Sequence, residues 1–263
     1  MNLGLKNKRA LVTGGSRGIG KAIAMDLARE GVKVAIVARM ESDLKSVFNK
    51  MGGRKKGHYY VAADLMEEGS VREVVRDIWK NFGQIDVLIN NLGGTLRLTD
   101  PVGPIDDWRK VFRLNFDIAV EFNNLLIPHM KKKKRGRIVH ISSLAALEQS
   151  ASIPYCTAKT ALAAYTKNMG RFLAKEGIVV SAVLPGAVMA SGGHWDRLLR
   201  NDPDYVRKYV KNNLPLSRFG RPEEISSVVL FLCSKLASFC QGTIILVDGG
   251  QGRHYFGTCN PGE

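Results

Sequence analysis

Short apolar runs alternate along almost the whole chain with stretches of helical periodicity. The apolar runs occupy residues 9–13, 34–38, 59–62, 87–89, 138–141, 178–184 and 244–247. Runs of this length are typical of strands that are buried on both faces. Between them, Val71, Val74, Val75 and Ile78 recur at i, i+3 and i+4 spacing and place one apolar stripe on a helix. The alternation predicts an α/β fold with a doubly wound, parallel, seven-stranded sheet and helices on both faces.

The size of the chain fits one large domain. Its 263 residues are 45% hydrophobic, and we find no linker, internal repeat or low-complexity segment between the predicted elements. We therefore predict a single domain over residues 1–250, in which residues 189–216 form a helical lid. Residues 251–263 contain Gly and Pro without periodicity and are predicted to form a surface tail or an interface arm.

Charge and cysteine content narrow the class of protein. Lys and Arg number 39 against 24 Asp and Glu, a formal charge of +15 that favours anionic partners. Nucleic-acid binding is not expected, because a basic stripe with interleaved aromatic residues is missing. The four cysteines lack C-x-x-C spacing, which argues against zinc and for a reducing compartment. The polar N-terminus and the lack of a membrane-length apolar run lead us to expect a cytoplasmic location.

A glycine-rich loop follows the first predicted strand. Residues 13–20 read TGGSRGIG and lead directly into a helical pattern. Glycines here allow a tight turn and a close approach of the backbone to a pyrophosphate, and the helix N-terminus adds partial positive charge. In the first βα unit this pattern predicts a Rossmann fold that binds a dinucleotide. The candidate cofactor contacts in the loop are Gly14, Ser16, Arg17, Gly18, Ile19 and Gly20.

The end of the second strand bears on the choice of dinucleotide. An acidic residue there would bind the adenosine ribose and select NAD. This chain has Arg39 at that point and no carboxylate until Glu41. A guanidinium can bind a 2′-phosphate bidentately, so Arg39 with Arg17 predicts NADP(H). The alternative is that both arginines are solvated surface charges.

A serine, a tyrosine and a lysine form the candidate catalytic set. Ser142 and Ser143 end a predicted strand, and Tyr155 and Lys159 lie one turn apart on one face of the next helix. A phenol with a pKa near ~10 exchanges protons slowly at neutral pH unless a nearby cation, here Lys159, favours the phenolate. A serine hydroxyl could hold the substrate oxygen beside the phenol. Alone, a tyrosine four residues before a lysine is common on helix surfaces.

Further motifs follow in a fixed order. They are Asp64-Leu65 after the third strand, NNLG at 90–93, Asn115 in a helix, Pro185-Gly186 and VDGG at 247–250. With the glycine loop and the Ser, Tyr and Lys set, the chain resembles the short-chain dehydrogenase/reductase family over essentially its full length. The resemblance implies hydride transfer between a nicotinamide and a carbonyl or secondary alcohol, and a homo-oligomer, either a tetramer or a dimer.

The resemblance also implies catalytic roles. Tyr155 would be the acid and base, and Lys159 would lower its pKa and bind the nicotinamide ribose. Asn115 would hold a water that links Lys159 to solvent. Family spacing favours Ser142 as the serine that orients the carbonyl, whereas the end of the strand favours Ser143, and we predict Ser143.

Cofactor contacts are implied in the same way. Asp64 would meet the adenine with Leu65 packed beside it, Asn91 would contact the adenosine-side ribose, and the Val188 backbone would meet the carboxamide. The further implied cofactor contacts are Gly93, Tyr155, Lys159, Pro185 and Gly186. The chain departs from the family pattern at Leu92, which replaces an alanine, and in lacking the usual threonine after Gly186.

The substrate is less constrained. Residues 215–225 most resemble 3-oxoacyl-[acyl-carrier-protein] reductases, which predicts a 3-oxoacyl thioester on an acidic acyl carrier protein or on CoA. A sugar, sterol or other secondary alcohol is the alternative, because His194, Trp195 and Asp196 would also suit a hydroxylated ring. A more distant alternative is a non-catalytic protein that senses NADP or binds nucleic acid. The basic cluster at residues 131–137 either offsets a helix dipole or docks an acidic carrier.

Overall fold

The computed structural model, which describes residues 2–253, contains one parallel sheet of seven strands in the order β3-β2-β1-β4-β5-β6-β7. The strands are Arg9–Thr13 (β1), Lys33–Ala38 (β2), Tyr59–Ala62 (β3), Val87–Asn90 (β4), Gly136–Ile141 (β5), Ile178–Pro185 (β6) and Ile244–Val247 (β7). The predicted sheet is confirmed. Four strands extend one or two residues beyond the predicted runs, β2 and β5 at their amino ends and β4 and β6 at their carboxyl ends, because backbone pairing continues past the apolar side chains.

Helices connect the strands. They are Gly18–Arg29 (α1), Glu41–Lys50 (α2), Ser70–Asn81 (α3), Ile105–Phe112 (α4), Ile118–Lys132 (α5), Ile153–Leu173 (α6), His194–Asn201 (α7), Pro203–Asn213 (α8) and Pro222–Cys233 (α9). A single π-helical turn, Arg113–Asp117, joins α4 to α5. The predicted lid contains α7 and α8. Within residues 2–253 we find no helix that combines the length and the apolar character that crossing a membrane requires.

The five inner strands of the sheet bury side chains on both faces, whereas the edge strands β3 and β7 are only partly buried. Val12 of β1 packs with Ile23 of α1 and Val229 of α9 in one core. Its neighbour Leu11 packs with Phe122 of α5 in the other. Side chains alternate between the faces of a strand, so a sheet covered on both sides needs apolar residues at successive positions. This explains the continuous apolar runs and confirms the doubly wound arrangement.

The strand order reverses beside β1. β2 pairs with one edge of β1 and β4 with the other, although β4 comes later in the chain. In doubly wound sheets the helices diverge at such a point and leave a crevice at the carboxyl ends of the strands. The loops after β1, β4, β5 and β6 therefore meet at one place, and they carry most of the predicted site residues.

Candidate active site

A cavity of about 1140 Å³ opens at the carboxyl ends of these strands and under the lid. The predicted residues that line it are Gly14, Arg17, Gly18, Ile19, Asn91, Gly93, Ser143, Tyr155, Lys159, Pro185, Gly186 and Val188. The predicted residues that do not line it are Ser16, Gly20, Arg39, Asp64, Leu65 and Asn115. The cavity thus joins the glycine loop to the candidate catalytic set, and the residues expected at the adenine end lie outside it.

The glycine loop is shaped for a close approach. Gly14 and Gly18 have φ values of +64° and +53°, in the left-handed region that favours glycine. A Cβ on Gly20 would lie 2.3 Å from the Gly14 carbonyl oxygen and 2.4 Å from Asn91 Nδ2. Helix α1 begins at Gly18 with no side-chain cap and no acidic residue in its first turn. Its free N–H groups fit an anionic pyrophosphate.

Asn91 and Thr13 hold this loop against β4. Asn91 Nδ2 donates to the carbonyl oxygens of Thr13 (3.0 Å) and Gly14 (3.2 Å). Thr13 Oγ1 accepts from the backbone N–H groups of Asn91 (3.0 Å) and Leu92 (3.2 Å). The Asn91 amide, predicted to contact a ribose, is therefore engaged in positioning the loop. Our reading of the sequence missed Thr13, although it opens the glycine motif.

The two arginines expected at the 2′-phosphate both lie near carboxylates. Arg17 pairs with Asp43 at 2.6 Å, and Arg39 lies 3.9 Å from Asp64, with the Arg39 side chain 72% exposed. Glu41 accepts from Lys45 at 3.0 Å, and this contact lowers the pKa of Glu41. A cofactor phosphate would compete with Asp43 for Arg17, so the electrostatic gain is smaller than for an unpaired guanidinium.

The two residues expected at the adenine, Asp64 and Leu65, differ in how deeply they are buried. Asp64 is partly exposed, and its Oδ1 accepts from the Met66 N–H at 3.0 Å. Leu65 is only 2% exposed and packs in the core, and its carbonyl oxygen accepts from Arg113 at 3.1 Å. A buried side chain offers no surface to an adenine. That Leu65 packs beside the base stays a prediction, which the burial of its side chain does not support.

The two serines at the end of β5 have different surroundings. Ser142 is buried, and its Oγ donates to the Lys159 carbonyl oxygen at 3.0 Å. Ser143 lines the cavity together with Tyr155, and hydrogen bonding by Ser143 opposes part of the rise in the Tyr155 pKa that burial causes. Ser143 Oγ accepts from the Ala145 N–H at 3.1 Å, which leaves its own hydrogen to donate to a substrate oxygen. This placement favours the predicted choice of Ser143.

Lys159 is buried beneath Tyr155 on α6. Its Nζ donates to the Ile141 carbonyl oxygen at 3.0 Å and lies 5.7 Å from the centroid of the Tyr155 ring. Burial lowers the pKa of Lys159 to about 8. Burial also raises the pKa of Tyr155, which is opposite to the lowering that the resemblance implies. Desolvation of the phenol is the largest cause, and the Lys159 ammonium is directed at the Ile141 carbonyl oxygen.

Asn115 lies in the π-helical turn rather than in an α-helix. Its Oδ1 accepts from the Gly94 N–H at 2.9 Å, and its Nδ2 donates to the carbonyl oxygens of Gly94 and Val111, both at 2.8 Å. A Cβ on Gly93 would lie 2.8 Å from both Asn115 Oδ1 and Lys159 Nζ. The Asn115 side chain therefore fixes the loop over Lys159, and only its backbone is left to hold the expected water.

The nicotinamide end is tied to the lid through Gln251. Gln251 Oε1 accepts from the Ala187 N–H, and its Nε2 donates to the Tyr209 hydroxyl of α8, both at 2.8 Å. The Arg253 N–H donates to Glu148 at 2.9 Å. Gln251 and Arg253, at the start of the predicted tail over 251–263, are thus hydrogen-bonded to the body. The rest of that segment lies outside the described residues.

Aromatic side chains pack the lid against the body. The Trp195 ring lies 4.3 Å from Tyr209 and 5.0 Å from Phe219, measured between centroids. Tyr209 therefore packs as well as facing the cavity, whereas Tyr205 is 50% exposed at the rim. Within residues 2–253 no group of three or more His, Cys, Asp or Glu side chains is arranged to hold a metal ion.

Comparisons with known proteins agree with this geometry. A family model described as enoyl-(acyl carrier protein) reductase matches residues 14–251. The 3-oxoacyl-[acyl-carrier-protein] reductase of Aquifex aeolicus (strain VF5) is 35% identical, covering 95% of this chain and 100% of the relative. L-sorbose reductase from Gluconobacter frateurii, solved with NADPH and L-sorbose, is 29% identical with a TM-score of 0.86, covering 95% of this chain and 98% of that one. A 3-oxoacyl (acyl-carrier-protein) reductase from Agrobacterium tumefaciens C58 with NADP bound is 29% identical with a TM-score of 0.87, covering 95% and 96%. The glycine loop, the Ser143, Tyr155 and Lys159 cluster and these relatives together establish that the chain is an oxidoreductase of the short-chain dehydrogenase/reductase family.

Proposed function

We propose that this oxidoreductase transfers a hydride between NADP(H) and a carbonyl or secondary alcohol, with Tyr155 as the proton donor and acceptor. One observation carries the proposal. Ser143, Tyr155 and Lys159 line the same cavity as the uncapped glycine loop. A bound cofactor and a carbonyl substrate would therefore share one cavity.

The chain's residues have separate tasks in carbonyl reduction. The hydride for the carbonyl carbon would come from NADPH bound at the glycine loop. Ser143 donates a hydrogen bond to the carbonyl oxygen and holds it beside Tyr155, which gives its proton to that oxygen as it becomes a hydroxyl. Because burial raises the pKa of Tyr155, the phenol is protonated at neutral pH and ready to donate. Lys159, charged below about pH 8, then stabilises the phenolate that remains.

Substitution of the catalytic set tests the chemistry. Tyr155→Phe should lower the rate of ketone reduction by about 10²–10⁴ and leave NADPH binding nearly intact, because the ring still packs. Ser143→Ala should lower the rate and also cost about 1 kcal/mol of stability, because Ser143 Oγ accepts from the Ala145 N–H at 3.1 Å. Ser142→Ala should lower stability by removing a buried hydrogen bond to α6 and leave the rate of the folded protein nearly unchanged. Full activity of the Tyr155→Phe variant would refute the proposed mechanism.

The preference for NADP(H) is supported by Arg17 and Arg39 and by the NADPH and NADP in the two solved relatives. A charge-assisted hydrogen bond to the 2′-phosphate should favour NADPH over NADH by about tenfold or more, even with Asp43 competing for Arg17. Arg39→Asp should reverse the preference. Arg76→Asp, at an exposed position on α3, is the control for net charge. Equal dissociation constants for the two cofactors in the parent protein would refute this preference.

The proposed substrate is a 3-oxoacyl thioester, on the strength of the similarity to the Aquifex aeolicus reductase, and a sugar ketone is the alternative that the Gluconobacter frateurii enzyme supports. The basic cluster at residues 131–137 does not support the docking of an acidic carrier beside the cleft of the same chain. It precedes β5 at the amino end of the sheet, about 20 Å from the cleft along a six-residue strand. Lys131 pairs with Glu176, and Lys133 and Arg135 lie within 4.0 Å of Asp86.

A panel of 3-oxoacyl thioesters and sugar ketones, scored by NADPH oxidation, separates the two substrates. A homotetrameric or dimeric state remains a prediction, to be measured by light scattering. The test of the carrier is whether a thioester on acyl carrier protein is reduced faster than the same thioester on CoA. Equal rates would mean that the protein recognises the acyl group and not the carrier.

A further inference from the structure

The charged side chains that line the cavity beside Tyr155 are all cations in the part of the chain that the structure describes. Among the residues that the structure describes, its lining contains Arg17, Arg97, Lys159 and Arg197 and no aspartate or glutamate. Arg17 belongs to the glycine loop and pairs with Asp43, and Lys159 donates to the Ile141 carbonyl oxygen. Two cations, Arg97 and Arg197, are thus left without a task in the proposed chemistry.

These two arginines come from different walls of the cavity. Arg97 lies in the loop that follows β4, and Arg197 lies on α7 of the lid. Within residues 2–253 neither has a carboxylate within 4.0 Å, and Arg197 donates to the Gly192 carbonyl oxygen at 3.0 Å. Each guanidinium has five N–H donors in a fixed fork that matches carboxylate and phosphate. Most of these donors therefore remain available to a ligand in the cavity.

The backbone at Arg97 is strained. Leu96 and Arg97 have φ values of +54° and +61°, and two successive residues other than glycine in this region are uncommon. Strain of this kind persists where the surrounding structure requires it, and it clusters at ligand sites. Both residues line the cavity, so the strained turn presents Arg97 there.

An unpaired hydroxyl lies in the same cavity. Ser152 precedes α6 at the position where a serine usually caps a helix, but its side chain makes no cap bond. Its Oγ is buried and has no hydrogen-bond partner among the described residues. Ser152 stands one helical turn before Tyr155 and lines the cavity. Because this oxygen has almost no accessible surface, it would bind a polar ligand atom next to the reacting carbonyl only once the Ser152 side chain rotates toward the cavity.

We propose that the natural substrate is an anionic ketone or its alcohol, whose carboxylate or phosphate is bound between Arg97 and Arg197 and whose polar oxygen near the carbonyl meets Ser152. The proposal rests on the proposed function and narrows its substrate. It favours a small oxo acid or a thioester on a phosphorylated pantetheine arm, which share the same anionic chemistry. It disfavours an uncharged sterol.

The experiment compares matched ketones that differ in one charge. The first pair is 3-oxobutanoate and its methyl ester, and the second is 3-oxobutanoyl-4′-phosphopantetheine and 3-oxobutanoyl-pantetheine. Within at least one pair, kcat/KM for NADPH oxidation should be about tenfold or more higher for the anion, as expected for charge-assisted hydrogen bonds. The pair that shows the effect identifies carboxylate or phosphate as the recognised group.

Variants then assign the effect to the two arginines. Arg97→Gln and Arg197→Gln should each lower kcat/KM for the preferred anion by about tenfold and leave its neutral partner unchanged. Arg207→Gln is the matched control, because Arg207 lies on the lid, pairs with Asp204 and does not line the cavity. Ser152→Ala should lower kcat/KM for both members of the pair.

Three outcomes would overturn the proposal. The first is equal reduction of anionic and neutral members in both pairs. The second is an equal loss for both members when either arginine is replaced. The third is a rise in the NADPH dissociation constant of the arginine variants that matches their loss of kcat/KM. That result would assign the arginines to the cofactor. An absence of NADPH oxidation with these ketones and with the whole ketone panel would instead refute the proposed function.

Discussion

Replacing Lys159 with methionine should stabilise the unliganded protein near neutral pH while removing its activity. Lys159 is 2% exposed, and the only protein acceptor found for its ammonium among the described residues is the Ile141 carbonyl oxygen, at 3.0 Å. Burying a cation with so few partners is unfavourable, and burial lowers the Lys159 pKa to about 8. Methionine keeps an unbranched stem of similar length and carries no charge.

The pKa of Lys159 fixes the sign and size of the effect. The unfolded chain holds this proton up to a pKa of about 10.4, whereas the folded chain releases it near 8. The buried charge therefore costs about 3 kcal/mol of unfolding free energy below about pH 8, and this cost falls as the pH rises from about 8 to about 10.4. Losing the bond to Ile141 costs the variant about 1 kcal/mol. The net expectation near pH 7 is a variant that is about 2 kcal/mol more stable.

Urea unfolding of both proteins without cofactor, at one protein concentration, measures this difference. By about pH 9.5 the advantage of Lys159→Met should shrink by about 2 kcal/mol, because the wild-type lysine is then largely neutral in the fold. Lys167→Met, at an exposed position on the same helix, should show neither the gain nor the pH dependence. A Lys159→Met variant that is less stable than wild type at pH 7, or a difference independent of pH, would refute the reasoning.

Three further changes test other parts of the site. Gly20→Ala should destabilise the fold by about 1–3 kcal/mol and abolish NADPH binding measured by fluorescence, because its Cβ would lie 2.3 Å from the Gly14 carbonyl oxygen. Gln251→Ala should raise the KM for the ketone more than it lowers kcat, because it frees Tyr209 and the lid, and steady-state kinetics with NADPH separate the two constants. The kcat/KM for NADPH should fall above about pH 8 as Lys159 loses its proton, and a pH profile that stays flat to pH 10 would contradict this.

The fold was predictable because its signals are local. Each strand is a short apolar run and each helix a periodic one, so both can be recognised without knowing what lies across the sheet. The glycine loop is equally local, since Gly14, Gly18 and Gly20 meet steric demands set within one βα unit. The placement of Ser143 against Tyr155 followed from the strand end and the helix start.

Contacts between distant segments were not predictable from one chain. Asn91 and Thr13 are 78 residues apart, and Gln251 reaches back to Tyr209, so only the folded sheet brings them together. The hydropathy pattern of the sequence also gave no indication of the role of His140, which lies within an apolar strand. His140 is fully buried between Asn123 and Thr166, and burial lowers its pKa to about 3, so it is neutral.

The direction of the Tyr155 pKa shift could likewise not be predicted from the sequence. Spacing places Lys159 one turn from Tyr155 but does not give the depth of burial of either group. In the structure desolvation raises the phenol pKa and lowers the ammonium pKa. The phenol is therefore protonated at neutral pH, which suits it to donate a proton to a carbonyl oxygen.

Transfer of isotope from cofactor to product tests the central claim most directly. NADPH that carries deuterium in the transferred position at C4 of the nicotinamide is incubated with the protein and the best ketone of the panel, and the alcohol is analysed by mass spectrometry. Our account predicts one deuterium on the former carbonyl carbon with the wild-type protein and almost no product with Tyr155→Phe. A product without deuterium, or equal product from the Tyr155→Phe variant, would contradict it.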